Sequence, residues 1–309
     1  MSSCLASLPW IRSHLGRVLR LILAITMLGA GAAHAEPADA TQRLKILTWN
    51  IQMLPTFPSV ESLNKGQAMR APWIIEYLND SKYDIVCLQE VIDPKMTGLL
   101  KAGLKKTFPH IVTVDPKGVF SGTSGGILFA SRIPIKYVDH IVFKNVQGVD
   151  ALAEKGCVLV EAEQNGVRFQ IAGTHLQAGS NEVKAKEIPE IADGIIKKHA
   201  QPGVPQFLVG DMNIDTAEAD LYAKLLTTNE MQDFPLDDKS PYTVDSENSW
   251  KARKKGHRGG RIDHVLLNPR GTKTAIRRQT VQRARQEHEG KTIDLADHYG
   301  VVAEVELAK

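Results

Sequence analysis

The chain lacks the features that usually divide a protein into domains. After position 45 its 309-residue sequence has no linker rich in proline, glycine or serine, no low-complexity run and no internal repeat. Separate domains are normally joined by such linkers, and a chain of this length can bury one large core. We therefore predict a single domain over residues 36–309, preceded by a separate leader over 1–35.

Long hydrophobic runs are also scarce, and the one near the N-terminus is short. Three arginines, at 12, 17 and 20, precede the apolar run LILAITMLGAGAA, which closes on Ala33, His34 and Ala35. A membrane span needs about 20 apolar residues, whereas this run with its A-x-A ending is typical of a cleaved signal peptide. We predict cleavage near Ala35 and a secreted or periplasmic protein, with a retained anchor as the alternative.

Cysteine is rare as well. Of three cysteines, Cys4 lies in the leader, which leaves Cys87 and Cys157, each inside an apolar, strand-like run. An exported pair can form a disulfide, but the sequence does not show whether the two strands are neighbours. Buried free thiols are the preferred interpretation.

Net charge is low but unevenly distributed. The formal charge of the whole chain is +3, and loss of the three leader arginines makes the mature protein neutral. Residues 251–291 nevertheless carry 13 lysines and arginines against three acids. Such a segment is typical either of a solvated polar face or of a surface that attracts anionic membranes or nucleic acid.

Polar residues that can bind metals or phosphate follow several short apolar runs. The strings are TWN at 48–50, LQE at 88–90, THL at 174–176, GDMN at 210–213, RIDH at 261–264 and ADHYGV at 296–301. Buried strands deliver polar groups to the rim of a sheet, so we expect one rim to carry a site built from these residues: Asn50, Glu90, His175, Asp211, Asp263 and His298.

The order of elements favours two sheets over one. Helices are predicted over 66–79, 95–106, 181–199 and 216–226, and GGILFASRIPI at 125–135 is predicted to be a strand. Asn165 and Gly166 between two further strands predict a tight hairpin turn. Hairpins mixed with helices fit two sheets packed face to face with helices outside.

The residue types at this rim indicate metal-assisted phosphoryl chemistry. Glu90 is the preferred ligand of a divalent cation, because Mg²⁺ in proteins takes one or two carboxylates, and Asn50 is expected beside it. Asp211 and Asn213, two apart on an extended segment, point the same way and can hold phosphate, water or a second metal. His298 is the preferred general base, because an imidazole ordinarily titrates near neutral pH.

Together the six strings resemble the DNase I-like endonuclease/exonuclease/phosphatase superfamily. Segments outside them resemble its bacterial neutral sphingomyelinases, of the sphingomyelinase C type: NIQMLP, LKKTFPHIV at 104–112, GGILFASRIPI, DALAEKG at 150–156, GTHLQAG and YTVDSENSWKA at 242–252. The resemblance covers the chain from about residue 44 to its end. It implies an α+β fold, a four-layer α/β sandwich of two mixed, mainly antiparallel sheets with helices outside.

The implied activity is that of a secreted phosphodiesterase dependent on Mg²⁺ or another divalent cation. It would hydrolyse sphingomyelin or a related phospholipid to ceramide and phosphocholine by in-line attack of water. The resemblance makes Asp263 the partner that orients His298 and places Asp297 in the same corner. His175 is assigned to the other side of the phosphate, where a protonated imidazole would stabilise charge or protonate the leaving group. The implied site therefore has catalytic His175, His298, Asp263 and Asp297, phosphate-binding Asn213 and His175, and metal-binding Glu90, Asn50 and Asp211.

Two departures from the family pattern concern the membrane and His264. Secreted sphingomyelinases commonly carry an aromatic-tipped hairpin, but residues 269–294 contain no Phe, Trp or Tyr. A basic hairpin would instead adsorb to anionic headgroups, so segment 251–291 is the expected membrane contact of a monomeric enzyme. His264 stands where the family often has an aromatic residue, and a packing role is preferred over a proton relay or metal contact. An exported nuclease acting on nucleic acid and a catalytically inactive binding module are the competing hypotheses.

Overall fold

The structure is a computed structural model that describes residues 42–55, 65–115, 124–250 and 259–309. The leader over 1–35 and the basic residues within 251–258 lie outside the described residues, so the predictions on them stay predictions. None of the helices in the described ranges has the length and apolar character needed to cross a membrane.

Besides 3₁₀ turns over Ser124–Gly126 and Gly148–Ala153 and a π-helical turn over Ala192–Ile196, the described residues form thirteen strands and four α-helices. In chain order they are β1 Gln42–Met53, α1 Gln67–Asp80, β2 Ile85–Val91, α2 Pro94–Leu104, β3 His110–Thr113, β4 Leu128–Ser131, β5 Ile135–Val142, β6 Gly156–Gln164, β7 Val167–His175, α3 Asn181–Ile191, β8 Gln206–Asp211, α4 Ala219–Thr228, β9 Asp263–Asn268, β10 Ala275–Gln282, β11 Arg285–His288, β12 Lys291–Asp294 and β13 Gly300–Leu307.

The strands form two large sheets and a small hairpin. One sheet has six strands in the order β10-β13-β1-β2-β4-β3, the other has five in the order β5-β6-β7-β8-β9, and β11 pairs with β12. A core of side chains from both sheets, among them Ile46, Phe129 and Phe207, lies between them. Separate cores lie between the six-stranded sheet and α1 and α2, and between the five-stranded sheet and α3 and α4. The predicted four-layer α/β sandwich is confirmed.

Each large sheet contains one parallel pair among its described strands, and each pair is joined through a helix. β1 and β2 are parallel and connected by α1, and β7 and β8 are parallel and connected by α3. In α/β sheets, ligands bind beyond the carboxyl ends of parallel strands. The two βαβ units therefore direct attention to the residues at the ends of β1, β2, β7 and β8.

Two predicted elements differ from the structure. The single strand expected over 125–135 is two strands, β4 and β5, which belong to different sheets. Pro134 between them cannot donate a ladder hydrogen bond, so the chain leaves one sheet there and enters the other. The helix expected over 181–199 ends as α3 at Ile191 and continues as a π-helical turn over Ala192–Ile196. Hairpin formation at Asn165 and Gly166 is confirmed, with both residues at positive φ between β6 and β7.

The two cysteines are free. Cys87 lies in the core between the sheets, whereas Cys157 lies in the core beneath the helices that cover the five-stranded sheet. Burial raises the pKa of both thiols, so they remain protonated. The preferred interpretation, buried free thiols, is confirmed.

Candidate active site

Three of the strand-end residues form a row across the five-stranded sheet. His175 on β7 is the register partner of Asp211 on β8, which in turn is the partner of Asp263 on β9. Side chains alternate along a strand, and Phe207 and Val209, which precede Asp211 on β8, face the core between the sheets. Asp211 therefore points toward the six-stranded sheet, and the whole row is buried.

Asn50, at the carboxyl end of β1, connects this row to the other sheet. Its Nδ2 donates to Asp211 Oδ2 at 3.0 Å and to Glu90 Oε1 at 2.9 Å. One amide thus holds two carboxylates, one from each sheet. His175 Nε2 lies 3.5 Å from Asp211 Oδ2 and 3.9 Å from Glu90 Oε1. The structure brings together the three predicted metal ligands, and His175 lies beside two of them.

Glu90 reaches this point through a left-handed backbone. Val86 and Leu88 on β2 face the core under the helices, and simple alternation would send Glu90 the same way. Its φ of 58° turns the chain, and its carboxylate meets Asn50 instead. A left-handed non-glycine residue costs about 1–3 kcal/mol, and such strain concentrates at functional sites.

The same turn follows Asn50 and Asp211. Asn50 Oδ1 accepts the backbone N–H of Gln52 at 3.1 Å, and Asp211 Oδ1 accepts that of Asn213 at 2.9 Å. Gln52 and Asn213 are both left-handed, with φ of 49° and 48°. Asn and Asp favour this turn because their short side chains can accept the N–H two residues ahead. Each turn fixes one side-chain oxygen and leaves the other side-chain atom directed into the site.

His298 and Asp263 form a hydrogen-bonded pair. His298 Nδ1 lies 2.9 Å from Asp263 Oδ2 and 3.8 Å from Asp211 Oδ2. Trp49 Nε1 donates to the His298 carbonyl at 2.9 Å, and Thr243 Oγ1 accepts the Asp263 N–H at 3.2 Å. Burial alone would lower the pKa of His298, but Asp263 and Asp211 outweigh burial and raise it to about 10. Because Nδ1 is engaged by Asp263, Nε2 is the nitrogen left for proton transfer.

Asp297 lies in the same corner. Gln52 Nε2 donates to Asp297 Oδ2 at 3.1 Å. Burial, and then the negative charge of Asp297, raise the pKa of Glu90 to about 7. Asp297 thus adds negative charge beside the predicted metal ligands.

His175 is bonded to a cation that the sequence analysis did not identify. Lys155 Nζ lies 2.9 Å from His175 Nε2, 3.0 Å from the Leu176 carbonyl and 3.1 Å from Asp150 Oδ2. An ammonium group only donates, so Nε2 accepts and the ring proton is on Nδ1. Burial and then Lys155 lower the pKa of His175 to about 3. With Lys155 bonded to Nε2 the His175 ring is neutral in this arrangement, and the expected role of His175 toward the leaving group stays a prediction.

Asn213 lies next to this group. Its Nδ2 donates to the Leu176 carbonyl at 3.0 Å, the same oxygen that Lys155 bonds. The structure therefore places Asn213 beside His175, while its role toward phosphate stays a prediction. His264 has a packing role: its Nε2 bonds the Ile214 carbonyl at 3.0 Å, and its ring lies 5.1 Å from that of Tyr222. Burial lowers the pKa of His264 to about 4, so it is neutral.

The residues fit a divalent cation. Glu90 Oε1 and Asp211 Oδ2 lie close together, 2.9 and 3.0 Å from the same Asn50 Nδ2, and carboxylate oxygens are the ligands that Mg²⁺ and Ca²⁺ prefer. Asp211, Asp263 and His298 also have ligand atoms within 4.8 Å of one another. Asp263 and His298 already bond each other, so the pair of Glu90 and Asp211 fits a cation better. Burial and then the negative charge of Asp297 raise the pKa of Glu90, and a bound cation would oppose both effects.

A comparison with family models matches residues 47–298 to the Endonuclease/Exonuclease/phosphatase family. The chain belongs to the endonuclease/exonuclease/phosphatase family. The matched range begins on β1, just before Asn50, and ends at His298, so it contains every site residue described above.

Individual relatives in this family are named phospholipase C and sphingomyelinase C. A phospholipase C from Staphylococcus aureus is 29% identical over 245 residues, which cover 71% of this chain and 73% of that relative. A sphingomyelinase C from Leptospira interrogans is 26% identical over 235 residues, which cover 65% of this chain and 42% of that relative.

Solved structures agree. Sphingomyelinase C from Streptomyces griseocarneus superposes with a TM-score of 0.69 at 26% identity, covering 85% of this chain and 99% of the other. A Staphylococcus aureus beta toxin with bound magnesium ions shares the fold, with a TM-score of 0.69 at 21% identity and coverage of 85% and 99%. Together the comparisons confirm the predicted resemblance, the fold and the enzyme class, a phosphoric diester hydrolase.

Several residues that contact the site were not predicted from the sequence. Lys155, Gln52 and Thr243 stand in segments that resemble sphingomyelinases, namely DALAEKG, NIQMLP and YTVDSENSWKA. Asn50 is the one residue of these three segments with a predicted role in the site. The available signal for Lys155 was its place in DALAEKG, a segment that resembles sphingomyelinases.

We expect Lys155→Met to lower kcat/KM for phosphodiester hydrolysis by about 10–100-fold, because it removes the positive charge at His175. The pKa of His175 should rise, since Lys155 is one of the groups that lower it. Steady-state kinetics and an NMR titration of the His175 ring measure both effects. Lys186→Met, at an exposed ion pair on α3, is the matched control and should change neither. Wild-type activity in Lys155→Met would contradict the assignment.

Proposed function

We propose that the protein is a secreted, Mg²⁺-dependent phosphodiesterase that acts as a monomer on sphingomyelin or a related phospholipid and releases phosphocholine and ceramide. The supporting observation is the convergence of two groups of residues on one point. Glu90 and Asp211 place carboxylate oxygens around the Asn50 amide, and the His298–Asp263 pair lies within 3.8 Å of Asp211. The phospholipase C and sphingomyelinase C relatives support the substrate class.

In the proposed reaction His298 is the general base. Its Nε2 takes a proton from a water molecule as the water oxygen attacks phosphorus, and Asp263 stabilises the resulting imidazolium. The P–O bond to the ceramide oxygen breaks, and the ceramide alkoxide gains a proton from solvent or from the His175 side of the site. Phosphocholine leaves with the oxygen of the attacking water.

His175 and Lys155 act on the phosphate in this proposal. The His175 Nδ1–H is buried without a hydrogen-bond partner within the described ranges, and it is a suitable donor to a phosphoryl oxygen. Lys155 supplies positive charge behind it. When bound, Mg²⁺ would polarise a phosphoryl oxygen and lower the pKa of nearby groups, including His298.

The proposed place of action is a phospholipid surface, with 251–291 as the contact. Eight of the 13 cations of this segment lie in the described ranges, and six of those eight are paired with acids. The pairs are Arg261–Asp233, Arg270–Glu230, Arg277–Glu306, Arg278–Asp237, Arg283–Asp238 and Arg285–Asp294. This neutralisation weakens the attraction to any polyanion, so adsorption to anionic vesicles should depend only modestly on salt.

The test is parallel hydrolysis of sphingomyelin, phosphatidylcholine and supercoiled plasmid DNA by the mature protein, each with Mg²⁺ and with chelator. We expect phosphocholine release from sphingomyelin micelles, strictly dependent on the cation. Plasmid nicking without phosphocholine release would replace this proposal with the exported nuclease. Absence of all three activities would favour a binding module.

A further inference from the structure

Two buried cations occupy equivalent places in the two βαβ units. Arg70 is the fourth residue of α1 and Lys184 is the fourth residue of α3. Both side chains are buried, at 0% and 3% exposure, although each belongs to an outer helix. Lysine and arginine are seldom fully buried unless their charge is paired and their N–H donors have hydrogen-bond partners.

The Arg70 guanidinium donates hydrogen bonds to backbone carbonyls of three separate segments. Its Nη1 donates to the Ile51 carbonyl at 2.9 Å and to the Leu295 carbonyl at 2.7 Å, and its Nη2 donates to the Gln52 carbonyl at 2.9 Å. Its Nε donates to the Lys65 carbonyl at 2.7 Å. The guanidinium therefore ties the segment that follows Asn50 to the segment that leads into Asp297 and His298.

Arg70 also packs against an aromatic ring and lies near two carboxylates of the site. Its guanidinium lies 5.3 Å from the ring centre of Trp250, which limits its movement. Burial lowers its pKa to about 10, opposed by the carboxylates of Asp297 and Glu90. It remains a cation beside these two acids, and its planar fork can meet several acceptors in a way that lysine cannot.

Lys184 makes the corresponding contact in the other unit. Its Nζ donates to the carbonyl of Asn213, the left-handed residue two positions after Asp211. Arg70 likewise bonds the carbonyl of Gln52, the left-handed residue two positions after Asn50. In each unit a helix cation thus holds the turn that aims a predicted metal ligand. The units differ in that Gln52 lies near the end of the first strand of its unit, whereas Asn213 follows the second strand of the other.

We propose that Arg70 and Lys184 are positioning residues that set the distance between the cation-binding corner and the His298 base. Neither reaches the reacting atoms, and the proposal rests on the proposed phosphodiesterase chemistry. Arg70 has the greater share, because it alone of the two joins the Asn50 segment to the His298 segment. Misplacement of reacting groups by about 1 Å can cost about a hundredfold in rate while substrate binding is kept.

The experiment compares Arg70→Lys, Arg70→Ala and Lys184→Met with the wild type on the activated diester bis(4-nitrophenyl) phosphate. For Arg70→Lys, which keeps the charge and loses the fork, we expect kcat to fall at least tenfold, with KM within about threefold. Calorimetry with Mg²⁺ should give a dissociation constant within about threefold of the wild type, because the ligands and nearby charge are retained. Lys184→Met should show the same division between kcat and KM with a smaller fall.

Chemical rescue separates positioning from general stability. Millimolar guanidinium should raise the kcat of Arg70→Ala at least tenfold, because the free ion can form the same hydrogen bonds. Tetramethylammonium has the same charge and no N–H donor, and it should restore nothing. Arg132→Lys is the matched control, since Arg132 also donates to two backbone carbonyls and lies over an aromatic ring, away from the site.

Three results would overturn the proposal: a wild-type kcat in Arg70→Lys, a kcat that falls only in proportion to weaker Mg²⁺ binding, or an equal loss in Arg132→Lys. If Arg70→Ala does not fold, Arg70→Lys decides the question alone. The activated diester requires only the enzyme class, so a wild type that cleaves it but not sphingomyelin would refute the proposed substrate and leave the positioning measurement intact.

Discussion

His298→Gln is expected to lower kcat for phosphodiester hydrolysis by about a thousandfold, the middle of the range for loss of a positioned general base. Glutamine keeps a similar length and polarity but cannot accept the proton of the attacking water. The glutamine NH₂ can donate to Asp263 in place of His298 Nδ1, which lies 2.9 Å from that carboxylate, so the variant should remain folded. Steady-state kinetics with circular dichroism as a check on folding measure the effect.

His298 and Asp263 should act as a unit, and a double variant tests this. Asp263→Asn is expected to cost nearly as much as His298→Gln, and the double variant little more than either single one. His288→Gln, at a partly exposed histidine of the β11–β12 hairpin, should keep full activity. Additive losses in the double variant would mean that the two residues contribute separately and that His298 is not the base oriented by Asp263.

Glu90→Gln is expected to abolish the response to divalent cations and to lower kcat by at least a hundredfold. The wild type should gain about 2.7 kcal/mol of unfolding free energy at a cation concentration 100 times the dissociation constant, and the variant should gain almost nothing. Thermal unfolding with and without Mg²⁺ measures the difference. Glu163→Gln, at an exposed position of β6, is the control and should respond as the wild type does.

Without divalent cations, Glu90→Gln should instead make the folded protein more stable. The pKa of Glu90 is raised to about 7, so its ionisation opposes folding: the penalty is absent at low pH, grows as pH rises through the ordinary carboxylate range, and is complete above about 7. In chelator at mildly alkaline pH, Glu90→Gln should therefore unfold at a higher temperature than the wild type. A variant less stable than the wild type in both conditions would show that Glu90 is a structural residue rather than a cation ligand.

The site residues at strand ends were predictable because a strand has a simple period. His175 and Asp211 end apolar strands and Asp263 begins one, all on the inner face. Their alignment across β7, β8 and β9 follows from the pairing of the sheet. Glu90 was found by its position in LQE, but its left-handed backbone was not visible in the sequence. The row of polar groups is thus a local property of the strands.

Lys155, Arg70 and Lys184 were not predictable in the same way. Arg70 bonds a carbonyl 225 residues away, and Lys155 bonds a histidine on another strand, so their burial depends on tertiary packing. On a helix, Arg70 and Lys184 have the pattern of ordinary surface cations. The net charge of segment 251–291 is also changed by tertiary packing, because the six acids that pair with its described arginines all lie outside it.

The division of the site between the two sheets has a consequence for the life of the chain. His175, Asp211 and Asp263 belong to the five-stranded sheet, whereas Asn50 and Glu90 belong to the six-stranded sheet. A half-folded polypeptide with only one sheet formed holds neither a complete set of cation ligands nor a base facing them. Phosphodiester hydrolysis therefore requires that both sheets are formed and docked, so a nascent or partly degraded molecule with a single sheet lacks a complete site.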